Sequence, residues 1–168
     1  MSQFCGLAWD SPRKFLACGG ELCNKARHGV ALFGAPLDAT TTYRPGTRFG
    51  PSRIREVSHA LEEFSPALGI DMASTNVCDL GDICLPFGNV SAALDMIRTC
   101  VAGVYDAGRV PLMLGGEHLV TLPAIEAAAQ RHPGLAVIHI DAHADMRDEY
   151  LGERLSHATV MKRVTEVV

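Results

Sequence analysis

The sequence predicts an α/β protein with a mostly parallel sheet in a single domain. Short apolar segments typical of buried strands alternate with segments in which apolar residues recur at helical spacing. The chain has 168 residues, of which 48% are hydrophobic and 20% charged, as expected for one globular domain. The sequence contains no internal repeat, low-complexity tract or linker, so we expect a single domain over residues 1–168.

The strands are predicted at four short apolar segments. These segments are residues 30–33, 77–80, 111–114 and 135–140. Residues 1–26 precede the first strand and show no clear period, so an N-terminal arm is expected there. A long polar loop over residues 34–49, which includes three consecutive threonines, follows the first strand.

Four helices are predicted between and after these strands. The first begins near Pro51, because proline suits the first turn of a helix. Its expected apolar stripe consists of Ile54, Val57, Leu61 and Phe64. The second helix is capped by Asn89 or Ser91 and ends at Gly108. Its expected stripe consists of Ala93, Leu94, Ile97, Val101, Val104 and Tyr105. The remaining helices are expected over residues 122–130 and from about residue 157 to residue 168.

Composition argues against several classes of partner and location. A net charge of −4 argues against nucleic acid or an anionic membrane as the main partner. No apolar run approaches the roughly 20 residues of a membrane span, and residues 1–10 lack the features of a signal peptide. We therefore expect a cytoplasmic protein.

The six cysteines contain no Cys-x-x-Cys pair, and reduced thiols are expected in a reducing compartment. Cys78 is expected within a strand and Cys100 within a helix. A regulatory thiol at Cys18 or Cys23 stays open.

An Asp-x-His-x-Asp motif follows the predicted strand at residues 135–140. In an extended backbone, side chains at alternate positions point to one side, so Asp141, His143 and Asp145 would share a face. Two carboxylates and an imidazole suit a hard or borderline divalent ion such as Mn²⁺. The alternative is that these residues merely cap a loop at the polar end of a strand.

A second polar cluster follows the predicted strand at residues 111–114. Two glycines allow a tight turn. His118 then lies at the carboxyl end of a strand, where open α/β sheets bind ligands. We predict that His118 is the fourth metal ligand, whereas Glu117 either supports the site or is solvated in the turn.

Taken together, these motifs resemble those of the ureohydrolase family, which includes arginase, agmatinase and formiminoglutamase. The likeness covers about residues 30–165, and among family members agmatinase is the most similar. The motifs that carry it are Gly-Ala-Pro-Leu-Asp at 34–38, Tyr-Arg-Pro-Gly-Thr-Arg-Phe-Gly-Pro at 43–51, Arg-Ile-Arg at 53–55, Gly-Asp-Ile at 81–83, Gly-Gly-Glu-His at 115–118, Asp-Ala-His-Ala-Asp at 141–145 and Ser-His at 156–157. The resemblance implies a three-layer α/β/α fold of the arginase type.

The resemblance also implies a site with two Mn²⁺ ions that activate water for attack on a guanidinium carbon. His118 and Asp145 match ligands of one ion, and His143 matches a ligand of the other. Asp141 matches the bridge between the ions, and His157 matches a histidine that transfers protons near the substrate. Asp141 and His157 are therefore the implied catalytic residues. The alternative for His157 is a helix N-terminal residue without chemistry.

The implied partner is a small guanidino compound, with agmatine hydrolysed to putrescine and urea in polyamine biosynthesis as the preferred reaction. Arginase has asparagine at the position of Arg147, where it helps to bind the amino-acid carboxylate. Its replacement favours a decarboxylated substrate. Because an arginine can itself bind a carboxylate, guanidinobutyrate, arginine and formiminoglutamate stay open. Asp38 and Arg147 are the candidate substrate-binding residues.

One motif of the family, Asp-x-Asp-x-x-Asp-Pro, is missing from the sequence. In the family it supplies further carboxylates to both ions, and strands of the C-terminal half separate the strands that end at His118 and Asp141. We therefore expect a truncated domain whose sheet lacks its C-terminal strands. A catalytically incompetent fragment is the alternative function. The resemblance implies a homo-oligomer for the complete protein.

Overall fold

A computed structural model describes residues 8–10, 13–16, 18 and 28–168 of the chain. Its centre is a four-stranded sheet. The strands are β1 (Trp9–Asp10), β2 (Gly29–Ala35), β5 (Val77–Ile83) and β6 (Arg109–Gly115), and a separate hairpin contains β3 (Phe64–Ser65) and β4 (Ile70–Asp71). In the order β1–β5–β2–β6, β2 is parallel to both β5 and β6, and β1 is antiparallel to β5. The predicted α/β class with a mostly parallel sheet is confirmed.

Helices flank this sheet. They are α1 (Gly50–Ser58), α2 (Val90–Asp106), α3 (Thr121–Arg131) and α4 (Val160–Val164), and short 3₁₀ turns occur at Thr47–Phe49, Met72–Ser74 and His118–Val120. Helix α1 contacts β2 and β6, α2 contacts β6 and α3, and α3 contacts α4. Most residues of β2 and β5 are buried at successive positions, as in parallel strands that are covered on both faces.

Helix α2 has the ends that the sequence predicts. The side chain of Asn89 accepts a hydrogen bond from the N–H of Ala92 at 3.0 Å, which is a standard N-cap. At the other end, Gly108 has a φ of 74° and donates its N–H to the carbonyl oxygen of Tyr105. The predicted apolar stripe is buried except for Tyr105, which is only partly buried.

The buried face of α1 differs from the predicted one. The expected stripe residues Ile54, Val57, Leu61 and Phe64 are all exposed. Arg55 is fully buried instead, because its guanidinium donates to both oxygens of Asp79, at 2.7 and 2.9 Å, and to Asp82. Both carboxylates belong to β5, so ionic hydrogen bonds attach this helix to the sheet.

The segment over residues 135–140 is not a strand, so this prediction is wrong. No strand among the described residues pairs with it. Val137 packs against the core, whereas Ile138 and Ile140 are 88% and 93% exposed. A strand needs a neighbour to satisfy its backbone groups, and the described part of the chain provides none at this position.

The last predicted helix is shorter than expected. Instead of beginning near His157, α4 begins at Val160, because the preceding residues form a turn. In that turn the Thr159 hydroxyl donates to the carbonyl oxygen of Arg154 at 2.8 Å and accepts the N–H of Ser156 at 3.0 Å. His157 is therefore held in a turn.

Much of the expected N-terminal arm, together with Cys5 and Cys23, lies outside the described residues. Within the described part, Trp9 packs edge-on against Phe33 and thus attaches to the sheet. Cys78 is buried in β5 and is disulfide-bonded, which contradicts the expectation of reduced thiols throughout. Cys18 and Cys84 are free thiols.

No helix among the described residues has the length and apolar character needed to cross a lipid bilayer.

Candidate metal centre

The register of the sheet brings two loops together at one end. Residues of β2 and β6 pair one-to-one from Gly29 with Arg109 to Ala35 with Gly115, so both strands end at the same edge. The pairing continues into the loops, where Gly116 donates its N–H to the carbonyl oxygen of Ala35 at 3.0 Å. This edge carries the candidate site, as expected for a parallel sheet.

Glycine is required at position 116 by the closeness of these loops. A Cβ atom at Gly116 would lie 1.9 Å from the carbonyl oxygen of Leu37. The next residue, Glu117, donates its N–H to that same oxygen at 2.8 Å. The glycine pair noted in the sequence thus lets the chain after β6 pass against the chain after β2, and His118 follows at a fixed position.

His118 lies beside two of the predicted carboxylate ligands. Its Nδ1 atom is 2.7 Å from Oδ2 of Asp145 and 3.7 Å from Oδ2 of Asp141. Of the residues in the Asp-x-His-x-Asp motif, these two carboxylates are therefore the ones that converge on the histidine from β6.

The motif itself is bent, contrary to the extended conformation that we expected. Asp145 has a φ of 47°, and its carbonyl oxygen accepts the N–H groups of Met161 and Lys162 at 3.1 and 3.3 Å. Helix α4 therefore holds the bend. His143 is at the rim, with its side chain 82% exposed and its Nδ1 atom 3.8 Å from Oδ1 of Asp141.

His139 belongs to the same cluster, although we did not select it from the sequence. Its ring stacks on that of His118 with 5.1 Å between centroids, and its Nε2 atom is 3.6 Å from Oδ2 of Asp141. One ligand atom from each of these three residues lies within 4.8 Å of the other two. The sequence held one signal for His139. It precedes Asp141 by two residues, and in an extended segment this spacing would place both side chains on the same side.

The cluster fits a hard or borderline divalent cation. Its donors are carboxylate oxygens and imidazole nitrogens, without sulfur. The backbone N–H of His143 donates to Asp141 at 2.9 Å and lowers the pKa of that carboxyl group. The imidazoles of His118 and His139 lower it further, while desolvation acts in the opposite direction. Asp141 is therefore ionised at neutral pH and can bind a cation.

A cavity of about 510 Å³ adjoins the cluster, which is a size typical of small-molecule sites. His143, Asp145 and His157 line it, together with Arg147 and Tyr150. The ring of Tyr150 meets the ring of His157 edge-on and also lies under the guanidinium of Arg147, 5.2 Å from the ring centroid. Two of the four predicted metal ligands, His143 and Asp145, thus line the same cavity as His157.

Asp38, the other candidate for substrate binding, is used within its own loop. One of its oxygens accepts a hydrogen bond from Nε of Arg48 at 2.7 Å, and the other accepts the N–H of Gly46 at 2.9 Å. The Arg48 hydrogen bond holds the pKa of the Asp38 carboxyl group below its usual value, against the effect of desolvation. Its side chain is 1% exposed, which leaves little surface for a ligand.

Comparison with known proteins gives a consistent result. The arginase family model matches residues 28–168 of the chain. The agmatinase of Bacillus subtilis (strain 168) is 53% identical over 137 residues, which cover 82% of this chain and 47% of that protein. The guanidinobutyrase of Pseudomonas aeruginosa is 38% identical over 138 residues, which cover 82% of this chain and 43% of that protein.

A solved structure agrees with the sequence comparisons. The agmatine ureohydrolase of Thermoplasma volcanium superimposes with a TM-score of 0.83 at 31% identity, covering 95% of this chain and 52% of that one. The chain spans about half the length of the curated relatives it matches.

Proposed function

The chain belongs to the arginase family, and from this premise we propose that it carries part of the active site of a guanidino hydrolase, acting on C–N bonds of linear amidines. The preferred reaction is hydrolysis of agmatine to putrescine and urea, a step of polyamine biosynthesis. The observation that carries the proposal is the 2.7 Å contact between His118 and Asp145 beside Asp141, at the edge of a cavity that His157 also lines.

In this proposal, His118, Asp145, Asp141 and His143 hold two divalent ions, preferably Mn²⁺. The fit of the cluster's donor chemistry to such ions supports this assignment. When bound, divalent ions activate water and polarise the group that it attacks. His139 keeps the ring of His118 in place by stacking against it.

His157 is proposed to move protons during the reaction. Hydrolysis of a guanidinium group releases an amine, and the amine must gain a proton as the C–N bond breaks. Imidazole is the side chain best suited to exchanging protons at neutral pH. The location of His157 in the cavity wall supports this role, and its edge-on contact with Tyr150 limits rotation of the ring.

Arg147 supports a second candidate function. Its guanidinium lines the same cavity, where a cation repels the ammonium end of agmatine but can bind a carboxylate. A guanidino acid such as guanidinobutyrate is therefore the alternative substrate, and the relative from Pseudomonas aeruginosa carries that name. Arginine and formiminoglutamate belong to the same class of alternatives.

The effect of replacing Arg147 distinguishes these substrates. We expect Arg147→Met to raise KM for guanidinobutyrate at least tenfold if the guanidinium binds a carboxylate. KM for agmatine should then stay unchanged or fall. Urea release measured with both compounds checks this, and Arg53→Met, at an exposed position on α1, is the control. Equal KM values for guanidinobutyrate before and after the replacement would remove the alternative.

Calorimetric titration with Mn²⁺ tests the metal site directly. We expect His118→Ala to weaken binding at least tenfold, because it removes the ligand that joins β6 to the Asp-x-His-x-Asp segment. His59→Ala, an exposed histidine at the end of α1, should leave binding unchanged. Unchanged Mn²⁺ binding in His118→Ala would contradict the proposed site.

A catalytically incompetent fragment is the alternative outcome for this chain alone. Two Mn²⁺ ions bring four positive charges, while Asp141 and Asp145 offer two negative ones, and hard cations prefer more oxygen ligands. Mn²⁺ binding without urea release from any guanidino compound would support this alternative. For the complete protein we propose a cytoplasmic homo-oligomer.

A further inference from the structure

Thr40, one of the three consecutive threonines in the loop after β2, lies between a buried carboxylate and His157. On one side, its backbone N–H donates to Oε1 of Glu117 at 2.7 Å, and its hydroxyl donates to Oε2 of the same carboxylate. Glu117 is 4% exposed, and both oxygens of this buried side chain accept hydrogen bonds from Thr40. Thr40 is therefore fixed to the chain that follows β6.

On its other side, Thr40 holds His157 through two contacts. The backbone N–H of His157 donates to Oγ1 of Thr40 at 3.1 Å. The ring Nδ1 atom of His157 is 2.8 Å from the carbonyl oxygen of Thr40. The backbone N–H of Thr40 bonds Glu117, its carbonyl oxygen bonds His157, and its hydroxyl bonds both.

The second contact determines the protonation pattern of the ring. A carbonyl oxygen only accepts hydrogen bonds, so Nδ1 of His157 must carry a hydrogen and donate it. In the neutral ring, Nε2 then has the lone pair. Free histidine in its neutral form prefers the opposite arrangement, with hydrogen on Nε2, so this contact selects the less common tautomer.

We propose that Thr40, anchored by Glu117, is a positioning residue that keeps His157 in its Nδ1–H tautomer and leaves Nε2 to exchange a proton with the substrate. This inference rests on the proposed function of His157. The proton leaves Nε2 of the imidazolium, passes to the departing amine, and leaves the neutral Nδ1–H ring. Neither Thr40 nor Glu117 gains or loses a proton in this step.

The tautomer can be measured without any activity. Long-range ¹H–¹⁵N NMR spectra of the chain, recorded above the pH at which His157 becomes neutral, distinguish Nδ1–H from Nε2–H by their nitrogen shifts. We expect His157 to be mainly Nδ1–H, and an exposed histidine such as His59 to be mainly Nε2–H. A mainly Nε2–H ring at His157 would overturn the inference, whatever the chain does to guanidino compounds.

Three threonine variants then test the positioning role. Thr40→Val has nearly the same shape but lacks the hydroxyl, so it loses one contact to Glu117 and one to His157. Thr40→Ser keeps both. Thr42→Val, in the same loop at an exposed position, is the matched control. We expect the Nδ1–H fraction of His157 to fall in Thr40→Val and to remain at its original level in Thr40→Ser and Thr42→Val.

In a preparation that releases urea, the kinetic constants give an independent result. We expect Thr40→Val to lower kcat roughly tenfold with little change in KM, since a mispositioned proton donor loses part of the usual acid–base contribution. Thr40→Ser should recover kcat. A Thr40→Val protein with unchanged kcat and an unchanged tautomer would overturn the positioning role, whereas an inactive wild-type chain with an Nδ1–H ring would count against the proposed function alone.

Discussion

At the scale of single residues, Asp38 shows that a carboxylate selected as a candidate for substrate binding can instead stabilise its own loop. Its position in a polar loop near the end of a strand led us to consider it for substrate binding. In the structure both of its oxygens are bonded within the loop, to Arg48 and to Gly46. The contacts connect residues eight and ten positions apart through a loop without periodic pattern, so sequence alone could not reveal them.

The Asp38 contacts predict a specific dependence of stability on pH. The hydrogen bond from Arg48 lowers the pKa of Asp38 in the folded protein below the ordinary value of 3.8. The resulting stabilisation is complete above that value and is lost as pH falls through the lower folded pKa. Urea denaturation between about pH 5 and pH 2.5 should therefore show a steeper loss of stability in the wild type than in Asp38→Asn. Parallel curves would contradict this explanation.

His118, Asp141 and Asp145 illustrate what local sequence does predict at this scale. We expected them to converge because two predicted strands carried them to one edge of a sheet. Although the second of these strands is absent from the described residues, both carboxylates lie within 3.7 Å of Nδ1 of His118. Their metal-binding roles stay predictions. His143 is less close than the alternating pattern suggests, because the chain bends at a residue with positive φ.

At the scale of elements, α1 is the clearest departure from the sequence pattern. Apolar residues at helical spacing predict a buried stripe, yet those residues face solvent and Arg55 is buried. The partners of Arg55 lie on β5, more than twenty residues along the chain. No pattern within the helix contains that information, because a buried charge is stable only with its distant counter-charges in place.

Replacing Arg55 should therefore be costly. Arg55→Met leaves the carboxylate of Asp79 buried without its counter-charge, and we expect the free energy of unfolding to fall by about 3–5 kcal/mol. Arg53→Met on the same helix removes only an exposed pair with Glu56, which is worth about 1 kcal/mol or less. Chemical denaturation of both variants measures the difference. Similar losses for both would show that Arg55 is not held by these ion pairs.

A predicted strand forms only where the described part of the chain contains a neighbouring strand to pair with it. Three of the four are confirmed, and in each case the neighbouring strand is among the described residues. Residues 135–140 have the same apolar character, but apolar character predicts only a tendency to be buried. Whether a segment becomes a strand depends on non-local pairing, which its own sequence does not specify.

At the scale of the whole molecule, several large apolar side chains are exposed among the described residues. Ile138 and Ile140 are almost fully exposed on an unpaired segment, and on β6 Val110 and Leu112 are also exposed. Exposed apolar side chains on the edge strand β6 and on an unpaired segment favour self-association.

We therefore expect the double variant Ile138→Thr and Ile140→Thr to reduce self-association of the chain. Static light scattering at increasing concentration should show a lower weight-average mass for this variant than for the wild type. Leu151→Thr, another exposed apolar residue outside this segment, serves as the control and should behave like the wild type. An unchanged mass in the double variant would mean that these side chains are not the contacts involved.

The hydrogen bonds by which Gly116 and Glu117 continue the pairing of β2 and β6 into the following loops limit how this protein can vary in length. An insertion or deletion of one residue between Ala35 and Thr40, or between Gly115 and Glu117, which accepts two hydrogen bonds from Thr40, would shift one loop against the other. The Nδ1 atom of His157 would then lose its hydrogen bond to the carbonyl oxygen of Thr40. Insertions and deletions should therefore be poorly tolerated at these two places. They should be readily accepted in the exposed turn at residues 132–134, which belongs to neither loop.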